Sequence, residues 1–175
     1  MVEMVRRGID SIGRRGFTLV EIIIVLVIIG ISAAIAIPVY TNYINELANK
    51  LAIKNIRLLE NAIKQYELEN MRLPDALDNL APVPLLDTQG QTITQSPPFL
   101  DPWNRPFRYL NLANDNPPAY PNARRDGADK PLSLDYDLYS MGADGLTQKR
   151  LDNPRSLDDI VRARSGAFVN LASKY

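Results

Sequence analysis

The chain has 175 residues, and its 20 Lys plus Arg balance its 20 Asp plus Glu, so bulk charge points to no nucleic-acid partner. It has neither cysteine nor histidine, which excludes disulfides, zinc fingers, thiol nucleophiles and histidine acid–base chemistry. Of its 13 prolines, only Pro38 lies in the first 70 residues, and the rest fall between Pro74 and Pro154. That distribution divides the chain into a helical front and a turn-rich back.

Residues 1–16 carry Arg6, Arg7, Arg14 and Arg15 ahead of a long apolar run. Positive charge beside a hydrophobic segment tends to stay in the cytoplasm. Two plain readings are a retained basic tail and a conventional secretory signal with Ala34-Ile35-Ala36 as its cleavage sequence. Glu21 counts against the second, because the apolar region of a signal should not start with a carboxylate.

From Leu19 to Val39 the chain runs 21 residues with Glu21 as its single charge. As a helix this stretch is about 30 Å long, enough to cross the hydrocarbon of a bilayer. A charge within such a helix costs about 2.5–3.5 kcal/mol on insertion scales, less near an end. Glu21 could simply snorkel to the interface. If the chain is cut after Gly16, however, Phe17 gains an amine one helical turn from Glu21. The two charges could neutralise each other within one helix or between neighbours, and between neighbours they would set axial register.

Pro38 removes one backbone hydrogen bond and bends the rod. Beyond it, Ala52, Ile56, Leu59, Ile63 and Tyr66 recur at spacings of 4, 3, 4 and 3, which is one helix face. Lys50, Lys54, Arg57, Glu60, Lys64 and Glu67 supply solvated positions, with Glu60 and Lys64 as a favourable i, i+4 pair. Unbroken from Phe17 to Asn70, the helix would be about 80 Å long. A domain of this size cannot bury such a rod, so its first half needs lipid or identical rods around it.

Leu73-Pro74 ends the helix. Asp75–Leu80 reads as a short helical turn with Asp75 as N-cap, and Thr92-Ile93-Thr94 as a short strand. Asp101–Leu110 reads as a turn leading into a strand marked by Phe107 and Tyr109. Asn114–Lys130 is polar and reads as a surface loop. Leu134–Ser140 alternates, with Leu134, Tyr136 and Leu138 on one face and Asp135 and Asp137 solvated on the other; it enters a turn at Gly142-Ala143-Asp144-Gly145. Arg162, Arg164 and Lys174 give a basic C-terminal tail, read as solvated. The expected fold class is α+β: a long N-terminal helix, transmembrane in its first half and amphipathic in its second, packed on a small antiparallel sheet of two to four strands, with a C-terminal loop.

Arg14-Arg15-Gly16-Phe17-Thr18-Leu19-Val20-Glu21 resembles the processing site of the type IV pilin-like family. Asp101-Pro102-Trp103 with Pro106, and Tyr136–Gly145, are most similar to the major pseudopilins of type II secretion within it. The resemblance implies a pilin-like fold and cleavage by a prepilin peptidase between Gly16 and Phe17, with methylation of the Phe17 amine. Residues 1–16 are then a leader, 17–40 a transmembrane and assembly helix with Glu21 required for assembly and Pro38 as its kink, and 41–175 a periplasmic head. It further implies a single-pass protein of the bacterial inner membrane that forms a helical homo-oligomeric filament, the pseudopilus, in contact with lipid. Minor pseudopilins and an inner-membrane secretion platform would be its partners, export of folded periplasmic proteins across the outer membrane its task, and no catalytic residue is implied. Asn104 stands where the family has glycine, and Asn114–Lys130 and everything after Asn170 are unmatched. A type IV pilin for adhesion, motility or DNA uptake is the nearest rival, although such pilins often close their C-terminal loop with a disulfide. A single-pass anchored binding protein that never polymerises is the rival from another class. An enzyme using Asp135 and Asp137 as paired carboxylates has the least support.

The same resemblance implies a calcium site in the turn after the last strand, built from aspartates and backbone carbonyls. Asp144 and Asp159 match those aspartates, Asp158 adjoins them, and Met141 could give its carbonyl; calcium takes six to eight oxygens. Against this, the connecting stretch carries Lys149, Arg150 and Arg155, where the family is glycine-rich. These bases could pair with the aspartates instead, and both readings stay open.

Overall fold

The computed structural model describes residues 16–113 and 121–175. Arg6, Arg7, Arg14 and Arg15 and the first part of the Asn114–Lys130 stretch lie outside the described residues. The elements are helix α1 (Leu19–Asn70) and strands β1 (Val83–Leu86), β2 (Thr92–Gln95), β3 (Arg108–Asn111), β4 (Tyr136–Ser140), β5 (Ile160–Ala163) and β6 (Phe168–Leu171), linked by short 3-10 turns. The chain divides into two units, Met1–Thr41 and Asn42–Tyr175.

In the first unit, α1 begins at Leu19 rather than at Phe17 because Thr18 caps it. The Thr18 hydroxyl accepts the Glu21 N–H at 3.2 Å, while the Glu21 carboxylate accepts the Thr18 N–H at 2.8 Å and its hydroxyl at 2.7 Å. This reciprocal capping box satisfies donors that a helix start otherwise leaves bare. The following stretch is long and apolar enough to cross a membrane, and none of it is buried. Ser32 and Thr41 return their hydroxyls to the carbonyls of Ile28 and Pro38 at 2.8 and 3.0 Å, so neither presents a bare donor to an apolar surrounding. Pro38 lies inside the helix, as expected.

In the second unit, α1 buries Leu51, Ala52, Asn55, Ile56, Leu59 and Ile63. The apolar ones are the expected face, and Tyr66 packs at the cluster's margin. Asn55 is a polar residue in that face with a defined task. Its amide donates to the Leu86 carbonyl at 2.8 Å and accepts the Leu86 N–H at 2.7 Å, clamping the end of β1 to the helix. The β1–β2 hairpin is antiparallel with Leu85 opposite Ile93. The main sheet is antiparallel in the order β3-β4-β5-β6.

Strands β4 and β5 are buried on both faces. Because side chains alternate across a strand, Tyr136, Leu138 and Ile160 join the helix-side core with Ile56, Leu59 and Ile63. Val161 and Ala163 face a second cluster with Leu132, Leu151 and Ala172. Three expectations are corrected. Asp137 is not solvated but 1% exposed, because its face of β4 is covered. The C-terminal segment is not a free tail: β6 pairs with β5, Arg162 opposite Val169, and Arg162 is buried, whereas Arg164 and Lys174 are solvated as expected. Leu134 does not share the fate of Tyr136; it is 70% exposed, since β4 starts two residues later.

Smaller differences have local causes. The turn after Pro74 is a 3-10 helix over Leu77–Asn79, capped by Asn79 accepting the Ala76 N–H, while Asp75 pairs with Arg72. Glu60 pairs with Arg57 and Arg162 rather than with Lys64.

Candidate functional site

At the N-terminus, nothing among the described residues lies within 4 Å of a Cβ built on Gly16, and Phe17 is 83% exposed. Glu21 is held against Thr18 in the capping box, which places the carboxylate at the helix start. These residues need only the local helix to be positioned.

The second candidate is the turn that leaves β4. Gly142 has φ +61° and Gly145 φ +70°, both in the left-handed region. Backbone crowding adds to this at Gly142, and a guanidinium stands over Gly145. A Cβ at Gly142 would lie 2.3 Å from the Asp158 carbonyl oxygen, and one at Gly145 would lie 2.6 Å from Cζ of Arg105. The Gly145 N–H closes the turn on the Met141 carbonyl at 3.2 Å.

Arg105 reaches this turn from the Asp101–Pro106 loop. Its Nη1 donates to the Gly142 carbonyl at 2.5 Å and its Nη2 to the Ala143 carbonyl at 3.0 Å. Buried Asp101 shapes the loop that presents it. One carboxylate oxygen accepts the N–H groups of Trp103 and Arg105 at 3.0 and 2.9 Å, and the other accepts the Ser140 hydroxyl at the end of β4. Asn104 turns the chain at φ +64°, a conformation that glycine or asparagine tolerates.

Each aspartate expected to hold a metal accepts hydrogen bonds from protein donors on one of its two oxygens. Asp158 Oδ2 accepts the Asp144 N–H at 3.0 Å, and Asp144 Oδ1 accepts the Leu146 N–H at 2.7 Å. Asp159, fully buried, accepts Arg124 Nη2 at 2.5 Å and the Thr147 hydroxyl at 2.6 Å on a single oxygen, Oδ2. Arg124 comes from the stretch read as a surface loop, yet its side chain is only 4% exposed. Its Nη1 donates to the Thr147 hydroxyl at 2.7 Å, and its Cζ lies 4.1 Å from the Tyr139 ring centroid. Its backbone N–H donates to Asp137 at 2.6 Å, and its carbonyl accepts the Leu132 N–H at 2.9 Å. The bases suspected in the sequence go elsewhere: Lys149 donates to Pro121 and Asn122, Arg150 pairs with Asp152, and Arg155 is exposed.

Burial pushes the carboxyl of Asp137 up to about 6, against the pull of the Arg124 N–H. Burial likewise pushes Asp159 up to about 6, against Arg124 and Thr147. Asp137 Oδ1, Asp159 Oδ1 and Arg124 Nε are buried without a hydrogen-bond partner among the described residues.

This arrangement does not fit calcium. The ion needs six to eight oxygens at about 2.3–2.6 Å. Among the described residues no three carboxylate, histidine or cysteine side chains gather to hold a metal. Asp159 Oδ1 is uncommitted, but a guanidinium already stands against the same carboxylate.

A methylation-type processing motif heading an apolar helix, with the amphipathic remainder of that helix packed against an antiparallel sheet, defines a pilin-like protein with one candidate membrane span. Residues 13–37 match the prokaryotic N-terminal methylation motif, and residues 40–154 match the type II secretion system protein G family. The chain belongs to the type II secretion system protein G family. It is 32% identical over 139 residues to the type II secretion system core protein G of Aeromonas hydrophila, covering 74% of this chain and 83% of that protein. It is 32% identical over 138 residues to the protein of the same name from Escherichia coli K12, with coverage of 75% and 83%. With that from Pseudomonas aeruginosa the identity is 29% over 137 residues, with coverage of 74% and 84%. No solved structure gives a significant match. The family match ends at residue 154, so Asp158, Asp159, β5 and β6 lie beyond it.

Proposed function

We propose that this protein is the structural subunit of a pseudopilus in a type II secretion system, and that its growth drives folded periplasmic proteins across the outer membrane. The observation that carries the reading is the methylation motif over residues 13–37, directly followed by the protein G match over 40–154. Residues 1–16 act as a leader that keeps the N-terminus in the cytoplasm. A prepilin peptidase removes it between Gly16 and Phe17 and methylates the new amine. The protein is anchored once in the inner membrane, with its head in the periplasm. It makes and breaks no bond itself.

Assembly follows from the charges at the helix start. In lipid, a carboxylate is tolerated when hydrogen bonds and an opposite charge are at hand. Thr18 supplies the hydrogen bonds to Glu21 before cleavage. Cleavage adds the Phe17 amine one turn away, on the same helix or a neighbour, and the pair fixes the register of adjacent rods. Neighbouring rods then replace lipid around Ile22–Ile37. The secretion platform of the inner membrane and the minor pseudopilins are the partners of this step. The test is Glu21→Ala, which should insert and be cleaved normally yet give filament yields at least tenfold lower in a shearing assay. Wild-type yield would remove the register role.

A further inference from the structure

We infer that two arginines, Arg124 and Arg105, take the place of a divalent cation in closing the loop between β4 and β5, so that the head folds and holds this loop without metal. The inference rests on the geometry of the head alone. Failure of cleavage after Gly16 would leave it untouched.

The turn carbonyls of Gly142 and Ala143 and the buried Asp159 carboxylate present oxygens that need a positive partner. Calcium meets that need by collecting carboxylate and carbonyl oxygens around one ion. Here the two kinds of oxygen are divided between two guanidinium groups, whose joint charge equals that of the ion. Arg105 takes the carbonyls of Gly142 and Ala143, at 2.5 and 3.0 Å. Arg124 takes the buried carboxylate of Asp159 at 2.5 Å and shares the Thr147 hydroxyl with it. Planar guanidinium suits both tasks, since its fixed fork of donors can serve two acceptors at once.

Both sites are built. Arg124 is buried, lies flat enough on Tyr139 for its Cζ to come within 4.1 Å of the ring centroid, and has its backbone tied to Asp137 and Leu132. Arg105 is delivered by a loop whose turns Asp101 fixes, and it fills the space over Gly145 that a Cβ would need. Of the loop's other acidic residues, Asp158 and Asp144 each cap a backbone N–H of the same loop, and Asp152 pairs with Arg150. The loop therefore has its positive centres, and they are covalently part of the chain.

The test uses the full chain in detergent micelles, with unfolding of the head followed by the near-ultraviolet signal of Trp103 and the tyrosines. Wild-type melting should agree within about 1 °C between 1 mM calcium chloride and 1 mM EGTA, and calcium chloride should give no binding heat by calorimetry. Arg124→Gln should lower the melting temperature by roughly 10 °C in EGTA, because it leaves a buried carboxylate without its charge partner. Calcium that raises the wild-type melting temperature, or binds with one-to-one heat, would overturn the inference. So would Arg124→Gln melting with the wild type. If that variant does not fold, the calcium and EGTA comparison on the wild type still decides.

Discussion

Arg162 on β5 donates its Nε to Glu60 on α1 at 2.7 Å, joining residues 102 apart in sequence. The same guanidinium spans to Asp135 with Nη2 at 2.7 Å, and its Cζ lies 3.9 Å from the Tyr136 ring centroid. One buried arginine thus fastens the helix, the entry to β4 and β5. Removing one partner of a buried ion pair strands the others, which typically costs about 3–5 kcal/mol. Arg162→Met is expected to lose about 3 kcal/mol, toward the lower end because Asp135 is one-third exposed. Urea unfolding of the full chain in micelles measures it; a loss within error of zero would mean the bridge contributes nothing net.

The Asn55–Leu86 clamp makes a second prediction. Asn55→Ala leaves a backbone N–H and a carbonyl of β1 without their partner in a buried setting. The expected cost is about 2 kcal/mol. Its sharper signature is local: amide exchange at Leu86 should speed up by at least tenfold while amides in β4 change in step with global stability. Uniform acceleration across the head would contradict a local clamp.

Asp137 gives the head a pH dependence of definite sign. Its carboxyl titrates near 6 in the folded protein against an ordinary value of 3.8, chiefly through burial, with Arg124 and Arg162 working against the shift and Asp135 with it. The folded state therefore binds the proton more readily than the unfolded state. Ionised Asp137 carries a penalty above about pH 6 that is relieved as pH falls through 6 and is gone below 3.8. Asp137→Asn removes that titration while keeping an acceptor for the Arg124 N–H. Relative to the variant, the wild type should gain stability between pH 7.5 and 5. Parallel curves, or a relative loss toward acid, would contradict the assignment.

Gly145 tests the fit of Arg105. Its φ of +70° and the 2.6 Å approach of Arg105 Cζ both oppose a side chain. Gly145→Ala should destabilise the head by about 1–3 kcal/mol. Combining it with Arg105→Ala should cost less than the two changes summed, because the second removes the clash created by the first. Full additivity would show that the guanidinium does not pack there.

Much of this architecture is legible in local pattern. Ala52, Ile56, Leu59 and Ile63 announce their helix face by spacing, Tyr136 and Leu138 their strand face by alternation, and Gly16–Glu21 the N-terminal methylation motif by its residue order. Partners distant in sequence are not legible in that way. Arg162 reads as a solvated charge until Glu60 and Asp135 are seen around it. Asp137 alternates outward correctly, but alternation cannot say that a second layer covers that face. Arg124 sits in a polar, turn-rich stretch, where only its contacts with Asp159 and Tyr139 distinguish it from a surface base. The Thr18–Glu21 capping box could have been found directly from its Thr-x-x-Glu spacing.

The central claim is that the apolar helix is the assembly element of a pseudopilus subunit, freed by cleavage after Gly16. Mass spectrometry of the protein extracted from its native membrane tests this most directly. The account predicts a mature chain that begins at N-methylated Phe17. A chain that retains Met1 and the leader would contradict it.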